Sequence, residues 1–213
     1  MKLHWVAYMY NDTIHNLLVL LNSLAQEGNS PAIRRIINSM NRNQVKSKTW
    51  LFEETEKWYE LYSHKNPKIL VAAGWYGLMA HLMRGMTNNR VVSFDIDDNC
   101  KRIGHKLFMD SEIEFITEDV EKYDPSDFDI IVCTSCEHMT DSTLNNFLNR
   151  RRKGCLVSLQ SNNFVTPSDQ EDGHINTKDT LDEFIKSLDL KRILHSDTKP
   201  MHPHYTRYLV IGI

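Results

Sequence analysis

The sequence predicts an α/β fold in three layers: a mostly parallel sheet with helices on both faces, an antiparallel hairpin at its end, and a helical cap in front. Three observations carry that expectation. From Lys68 onward, short apolar runs alternate with helical segments, the pattern of a parallel sheet buried on both sides. The first run, Ile69-Leu70-Val71-Ala72, enters a small-residue turn, Ala73-Gly74-Trp75-Tyr76-Gly77, that opens a helix. The last two strand-like segments have no helix between them, so they pair antiparallel.

Residues 1–65 read as a separate helical cap or lid of about three helices, ahead of a sheet domain over 66–213. Asn11-Asp12 are placed to cap a helix whose apolar positions Ile14, Leu17, Leu18, Leu21 and Leu24 recur at helical spacing, and Gly28 suits its stop. Ser30-Pro31 reads as N-cap and first-turn proline of a second helix carrying Ile33, Ile36, Ile37 and Met40. A third helix carries Trp50, Leu51, Trp58 and Leu61.

In the sheet domain, strands are expected at 68–73, 90–95, 112–117, 128–133 and 154–160, with helices near 76–86, 97–108, 140–151 and 178–188. The hairpin takes 190–197 and 205–213, joined by a loop that holds Pro200 and Pro203.

Composition narrows the function classes. The 213 residues are 41% hydrophobic and 25% charged, an ordinary globular balance able to bury one substantial core. No run of eighteen apolar residues occurs, so no membrane span is expected. The start, Met1-Lys2-Leu3-His4-Trp5, lacks a secretory pattern, and the expected location is the cytoplasm. A net charge of −3 gives no global attraction to nucleic acid. The dense basic run, Arg150 to Lys153, falls at a predicted helix end, where positive charge complements the dipole. Cys100, Cys133, Cys136 and Cys155 read as reduced core thiols, because the Cys133–Cys136 gap has no second pair.

The turn, with an acidic strand end at Asp95 about twenty residues on, reads as a nucleotide-type cofactor site. The whole order of elements resembles the class I S-adenosylmethionine-dependent methyltransferases, whose domain is Rossmann-like, over residues 68–213. That resemblance implies a seven-stranded sheet in the order 3-2-1-4-5-7-6 and S-adenosyl-L-methionine as cofactor. It assigns the methionine end to the turn Ala72, Gly74, Trp75, Tyr76 and Gly77. The ribose hydroxyls fall to Asp95, with Ile96 beside it, and the adenine amine to Asp119, with Val120 beside it. The chain departs from the family pattern at five residues: Ala72 replaces the first glycine, Trp75 and Tyr76 are bulky, and Leu70-Val71 occupy a place often acidic. Trp75 or Tyr76 then either packs over a sulfonium or joins the core beside the N-terminal helices.

After the fourth strand comes Thr134-Ser135-Cys136-Glu137-His138-Met139. The resemblance places acceptor and transferred methyl here, with Thr134 toward the cofactor and Glu137 and His138 positioned to orient or deprotonate a nucleophile. Asn162, in Gln160-Ser161-Asn162-Asn163 at the end of the fifth strand, suits holding a polar acceptor. A polar loop through Asp169, Glu171, Asp172 and His174 follows. A metal site would need His138, His174, His202 and His204 to converge from separate loops, so none is expected.

The leading expectation is a methyltransferase acting on an N or O nucleophile of a small molecule, with duplex nucleic acid less favoured and oligomeric state open. Three alternatives stay open: transfer of another group from the same cofactor, a nicotinamide-dependent oxidoreductase, since Ala72, Gly74 and Gly77 imitate that fingerprint, and a non-catalytic relic of the fold. Aromatics Trp50, Phe52, Trp58, Tyr59 and Tyr62 are candidates to line the crevice beneath the cap.

Overall fold

The computed structural model describes residues 2–62, 66–109, 111–164, 174–201 and 205–213, without the side chains of residues 2–11 and Tyr62. Their helices are α1 (Lys2–Gln26), α2 (Ser30–Ser39), α3 (Arg42–Tyr62), α4 (Leu78–Arg84), α5 (Asp98–Leu107), α6 (Asp141–Asn149) and α7 (Leu181–Ser187). The strands are β1 (Ile69–Ala72), β2 (Val91–Asp95), β3 (Ile113–Thr117), β4 (Ile130–Cys133), β5 (Leu156–Asn162), β6 (Ile193–Met201) and β7 (Tyr205–Gly212). They form one sheet in the order β3-β2-β1-β4-β5-β7-β6. β1 to β5 run parallel, and β7 is antiparallel to both β5 and β6. Fold class and closing hairpin are those the sequence predicts, and the strand order is the one the family resemblance implies.

Strand alternation divides the core. Ile69 and Val71 of β1 and Ile130 and Val132 of β4 face one side, where they meet Leu20, Leu24, Ile36, Trp50, Leu51, Met79 and Ile103 from α1 to α5. Leu70, Ala72, Ile131 and Cys133 face the other side, against Leu144, Phe147, Leu148 and Phe184 of α6 and α7. Side chains of α1 to α3 therefore share one apolar cluster with the sheet and with α4 and α5.

Several boundaries differ from expectation for local reasons. α1 runs from Lys2 straight through Asn11-Asp12, because a weak local propensity for capping yields to continued helical bonding. Its packed stripe is Leu17, Leu20, Leu21 and Leu24, and Leu18 is 61% exposed, about 100° round the helix from Leu17. Ile14, Ile37 and Leu61 are exposed as well. The cap of α2 is Asn29, whose side chain accepts from the Ala32 N–H, so Ser30 stands inside the helix. Gly28 does stop α1, at φ +69°.

β6 extends through Pro200 to Met201, where a loop was expected. It is the edge strand, so a proline without N–H leaves no interior ladder bond unmade. Pro203 lies outside the described residues. No described helix is long and apolar enough to cross a membrane.

Candidate active site

The carboxyl ends of β1 to β4 meet at a cleft of about 730 Å³, the expected crevice of an open α/β sheet. Its first wall is the turn after β1. Ala73 and Trp75 adopt φ of +48° and +49°, a left-handed backbone that costs a side-chain-bearing residue about 1–2 kcal/mol. The turn is held closed from within: Gly74 N–H donates to Phe94 O at 2.9 Å, Gly77 N–H to Gly74 O at 3.0 Å, and Trp75 N–H to Asp95 Oδ2 at 2.9 Å. Close packing excludes a side chain at two places. A Cβ on Gly74 would stand 2.1 Å from Ser93 Oγ, and one on Gly77 2.5 Å from the Phe115 ring. Gly77 also has φ +92°, which glycine adopts at little cost.

Asp95 forms the next wall. Its Oδ1 accepts the Asp97 N–H at 3.1 Å while Oδ2 accepts the Trp75 N–H. A carboxylate has about four acceptor directions; these two N–H groups use two of them and the Cys100 thiol approaches as a further donor, while the group itself lines the cleft. Asp97 caps α5 through Asn99 N–H and receives Arg35 Nη2 at 3.2 Å. Those partners, the asparagine amide first, hold its carboxyl below the usual range against burial, which pushes it up. Ile96 lies on the cleft and is 71% exposed, and Asp119 and Val120 line the side after β3. Cys100 also faces this space, its thiol pushed far up by burial and then by the Asp95 and Asp97 carboxylates.

The opposite wall is the segment after β4. Cys136–His138 make a single 3-10 turn, and α6 is capped by Thr140 instead of this segment. The backbone N–H groups of Ile175 and Asn176 both donate to Glu137 O at 3.0 Å. Asn176 Nδ2 reaches Met139 O at 2.8 Å and Asp141 Oδ1 at 2.7 Å. This clamp brings His174 to His138, with ring centroids 4.8 Å apart and nearly perpendicular. The two histidines, expected to stay on separate loops, meet in the structure. His202 and His204 lie outside the described residues.

Glu137 sits beneath them, buried. Its Oε1 accepts Asn162 Nδ2 at 2.6 Å and Arg207 Nη1 at 2.8 Å, while Oε2 is buried with no hydrogen-bond partner. Arg207 stands directly across the ladder from Asn162, so one register fixes both donors to this carboxylate. His174 Nδ1 lies 2.8 Å from Phe164 O. A carbonyl only accepts, so Nδ1 carries the proton in that bond and Nε2, 4.0 Å from Glu137 Oε1, holds the lone pair of the neutral ring.

Lys48 of α3 is buried behind Arg207 and donates to Gln44 Oε1. Burial, then the Arg207 charge, lowers its pKa to about 7, with Glu137 opposing.

The expected site residues therefore separate into groups. Trp75, Asp95, Ile96, Asp119, Val120 and His138 line the cleft. Ala72 and Gly74 are buried under the turn, and Tyr76 packs in the core with the side chains of α1 to α5. Thr134 is buried and gives its carbonyl to Arg207 at 3.4 Å. Trp50 and Tyr59 are core, and Phe52 and Trp58 pack against it; none of the four lines the cleft. Tyr62 side-chain, Asp169, Glu171 and Asp172 fall outside the described residues. The basic run does end α6: Arg151 Nη1 donates to Leu148 O, Arg150 Nη2 to Val120 O, and Arg152 pairs with Asp129. All four cysteines are free and buried. Arg207, Lys48 and His174 were not singled out from sequence as partners of Glu137. For Arg207 a signal existed, since a lone cation sits in phase with the inward Leu209 and Ile211.

No protein-family model and no curated sequence matches this chain. Solved structures do. A magnesium protoporphyrin IX methyltransferase from Synechocystis, solved with bound SAH, superposes with TM-score 0.63 at 9% identity, covering 92% of this chain and 99% of that one. A Pyrococcus horikoshii protein gives TM-score 0.58 at 18% identity, over 81% of this chain and 92% of that one. A Pyrococcus abyssi tRNA (uracil-54, C5)-methyltransferase, in complex with S-adenosyl-L-homocysteine, gives 0.56 at 16% identity, over 78% and 38%.

Proposed function

The chain has the class I S-adenosylmethionine-dependent methyltransferase fold, and from that premise we propose that it is such an enzyme, acting on an N or O nucleophile of a small molecule. The observation that carries the proposal is one cleft with two unlike walls. Carboxylates at the ends of β2 and β3 stand on one side, and the Glu137–His138–His174 cluster on the other.

The residues fit the cofactor. Asp95 lines the cleft with acceptor capacity for ribose hydroxyls beyond the bonds that hold the turn. Ile96 and Val120 offer apolar surface to a planar base, and among the described residues the Asp119 side chain accepts only the Glu121 N–H, leaving acceptor capacity for an amine. Trp75 lines the cleft at the turn, where its ring suits a sulfonium. When bound, the cofactor supplies a methyl group on a positively charged sulfur.

The chain's own work is then positioning, proton removal and exclusion of water. Asn162 and Arg207 fix Glu137, and Glu137 O fixes the segment that carries His174. A proton leaving the acceptor falls to this cluster, where His174 Nε2 is oriented as an acceptor. A volume of about 730 Å³ has the size of a small-ligand site, and the net charge of −3 does not attract a polyanion.

Equilibrium binding of labelled S-adenosylmethionine and of NADH to the whole chain tests this reading, followed by conversion to S-adenosylhomocysteine with pooled small acceptors. Saturable S-adenosylmethionine binding and acceptor-dependent turnover are expected. Saturable NADH binding without S-adenosylmethionine binding would favour the oxidoreductase alternative and overturn the proposal.

A further inference from the structure

We propose that Glu137, His138 and His174 form a binding site for one divalent transition-metal ion, Zn2+ or a close analogue, at the floor of the cleft. Each residue offers one ligand atom, and the three atoms lie within 4.8 Å of one another. Bonds of about 2.0–2.2 Å to nitrogen and oxygen put tetrahedral ligands roughly 3.5 Å apart, so a bound ion requires the set to draw in by about an ångström. His138, exposed on a single 3-10 turn, is the member of the set that supplies that movement.

The surroundings are those of ligands held in place from outside. His174 gives its Nδ1 proton to Phe164 O, which sets the tautomer and leaves Nε2 4.0 Å from Glu137 Oε1, the oxygen that also accepts from Asn162 and Arg207. Asn162 and Arg207 grip Glu137 through Oε1 only, leaving Oε2 buried with no hydrogen bond. A buried acceptor without a partner is costly, and a cation would supply the partner. Arg207 also offsets the Glu137 charge, which weakens attraction for a cation while preventing the carboxylate from turning away. Two imidazole nitrogens and one carboxylate oxygen suit Zn2+, Co2+ or Mn2+ better than Mg2+ or Ca2+, which prefer oxygen throughout.

Because His138 and His174 line the cleft, an ion here keeps open positions toward it, the arrangement of catalytic rather than structural zinc. A hydroxyl bound at such a position becomes more acidic. That role, though not the binding itself, rests on the methyltransferase reading.

The test is titration of the chelator-treated whole chain with Co2+, read by visible absorption, and competition with Zn2+. One equivalent is expected to bind, and His138→Ala and His174→Ala each to weaken it at least tenfold. Glu137→Gln should do the same; because it disturbs a buried pair, the exposed His138→Ala keeps the test decisive if that variant does not fold. Absence of saturable binding, or equal affinity in wild type and both histidine variants, overturns the site. Loss that appears only in His202→Ala/His204→Ala overturns it too. S-adenosylmethionine binding measured on the same metal-free protein separates the two readings: failure of the metal alone leaves the methyltransferase proposal standing, and failure of the cofactor alone leaves the metal site standing.

Discussion

The backbone N–H of Trp75 donates to Asp95 Oδ2 at 2.9 Å, tying the turn after β1 to the end of β2. One carboxylate therefore has two duties: it holds the strained turn, and it faces the cleft where the proposed ribose would lie.

This double duty separates Asp95 from Asp119. Asp95→Ala removes the acceptor for two backbone donors, Trp75 and Asp97, whereas Asp119→Ala removes the acceptor for Glu121 alone. Both substitutions should weaken S-adenosylmethionine binding at least tenfold. Only Asp95→Ala should also lower unfolding stability, by about 1–3 kcal/mol. Calorimetric binding beside urea unfolding checks this, and equal stability of the two variants would contradict the structural duty of Asp95.

Gly74 and Ser93 should be energetically coupled. A Cβ at Gly74 collides with Ser93 Oγ at 2.1 Å, presses on Val71 Cγ1 at 3.3 Å and stands 3.4 Å from Ser93 Cβ, so the severe conflict is with the hydroxyl and Val71 has to give only slightly. Ser93 Oγ is itself buried without a hydrogen bond, and its removal alone should change little. Gly74→Ala should cost about 1–3 kcal/mol, and Gly74→Ala/Ser93→Ala should recover at least half of that. Chemical denaturation of the four proteins in the cycle gives the coupling; simple additivity would refute it.

The contrast between legible and illegible parts follows the range of the interactions. The strands, hairpin and cleft walls are readable because continuous apolar runs at Ile69–Ala72 or Ile130–Cys133 and acids at strand ends are local signals, whereas the strand order is legible only through the family resemblance. For Tyr76 the sequence leaves cleft and core both open, because its burial depends on the side chains of α1 to α3, distant in sequence; the structure takes the core alternative. His174 was hidden for the same reason: its position depends on Ile175 and Asn176 bonding to the Glu137 carbonyl, nearly forty residues earlier. Pro200 read as a loop because its tolerance in β6 depends on that strand being an edge, which only the assembled sheet decides.

His81 predicts a specific acid sensitivity. It stacks on Phe108 with centroids 4.5 Å apart, and burial lowers its pKa to about 4. The unfolded chain takes up this proton near pH 6.5, while the folded chain resists until about pH 4. Stability is therefore unaffected by His81 above pH 6.5 and falls as pH drops from there to 4, by up to about 3 kcal/mol. His81→Phe should keep the stack and flatten that part of the stability curve. Urea midpoints at several pH values measure it, and an unchanged slope would rule out His81 as the source.

Lys48 predicts the opposite region of the pH scale. Its amine is buried within reach of the Arg207 charge, and its pKa falls to about 7 through burial first and that charge second. Below pH 7 folded and unfolded chains both carry the proton, and the folded state bears the full cost of a buried ammonium. Between pH 7 and about 10.5 only the unfolded chain keeps the proton, so wild-type stability should rise with pH across that window. Lys48→Met fills similar volume without the charge. It should stabilise the protein by roughly 2–5 kcal/mol at pH 6, less the hydrogen bond to Gln44, and the gain should shrink steadily toward pH 10. Denaturant unfolding of both proteins from pH 6 to 10 reads this directly. A gain independent of pH would mean that packing alone, not the buried charge, separates the variants. A loss at pH 6 would mean that Lys48 is needed to balance Glu137, whose charge raises its pKa, and that the buried cluster is stabilised by its cations.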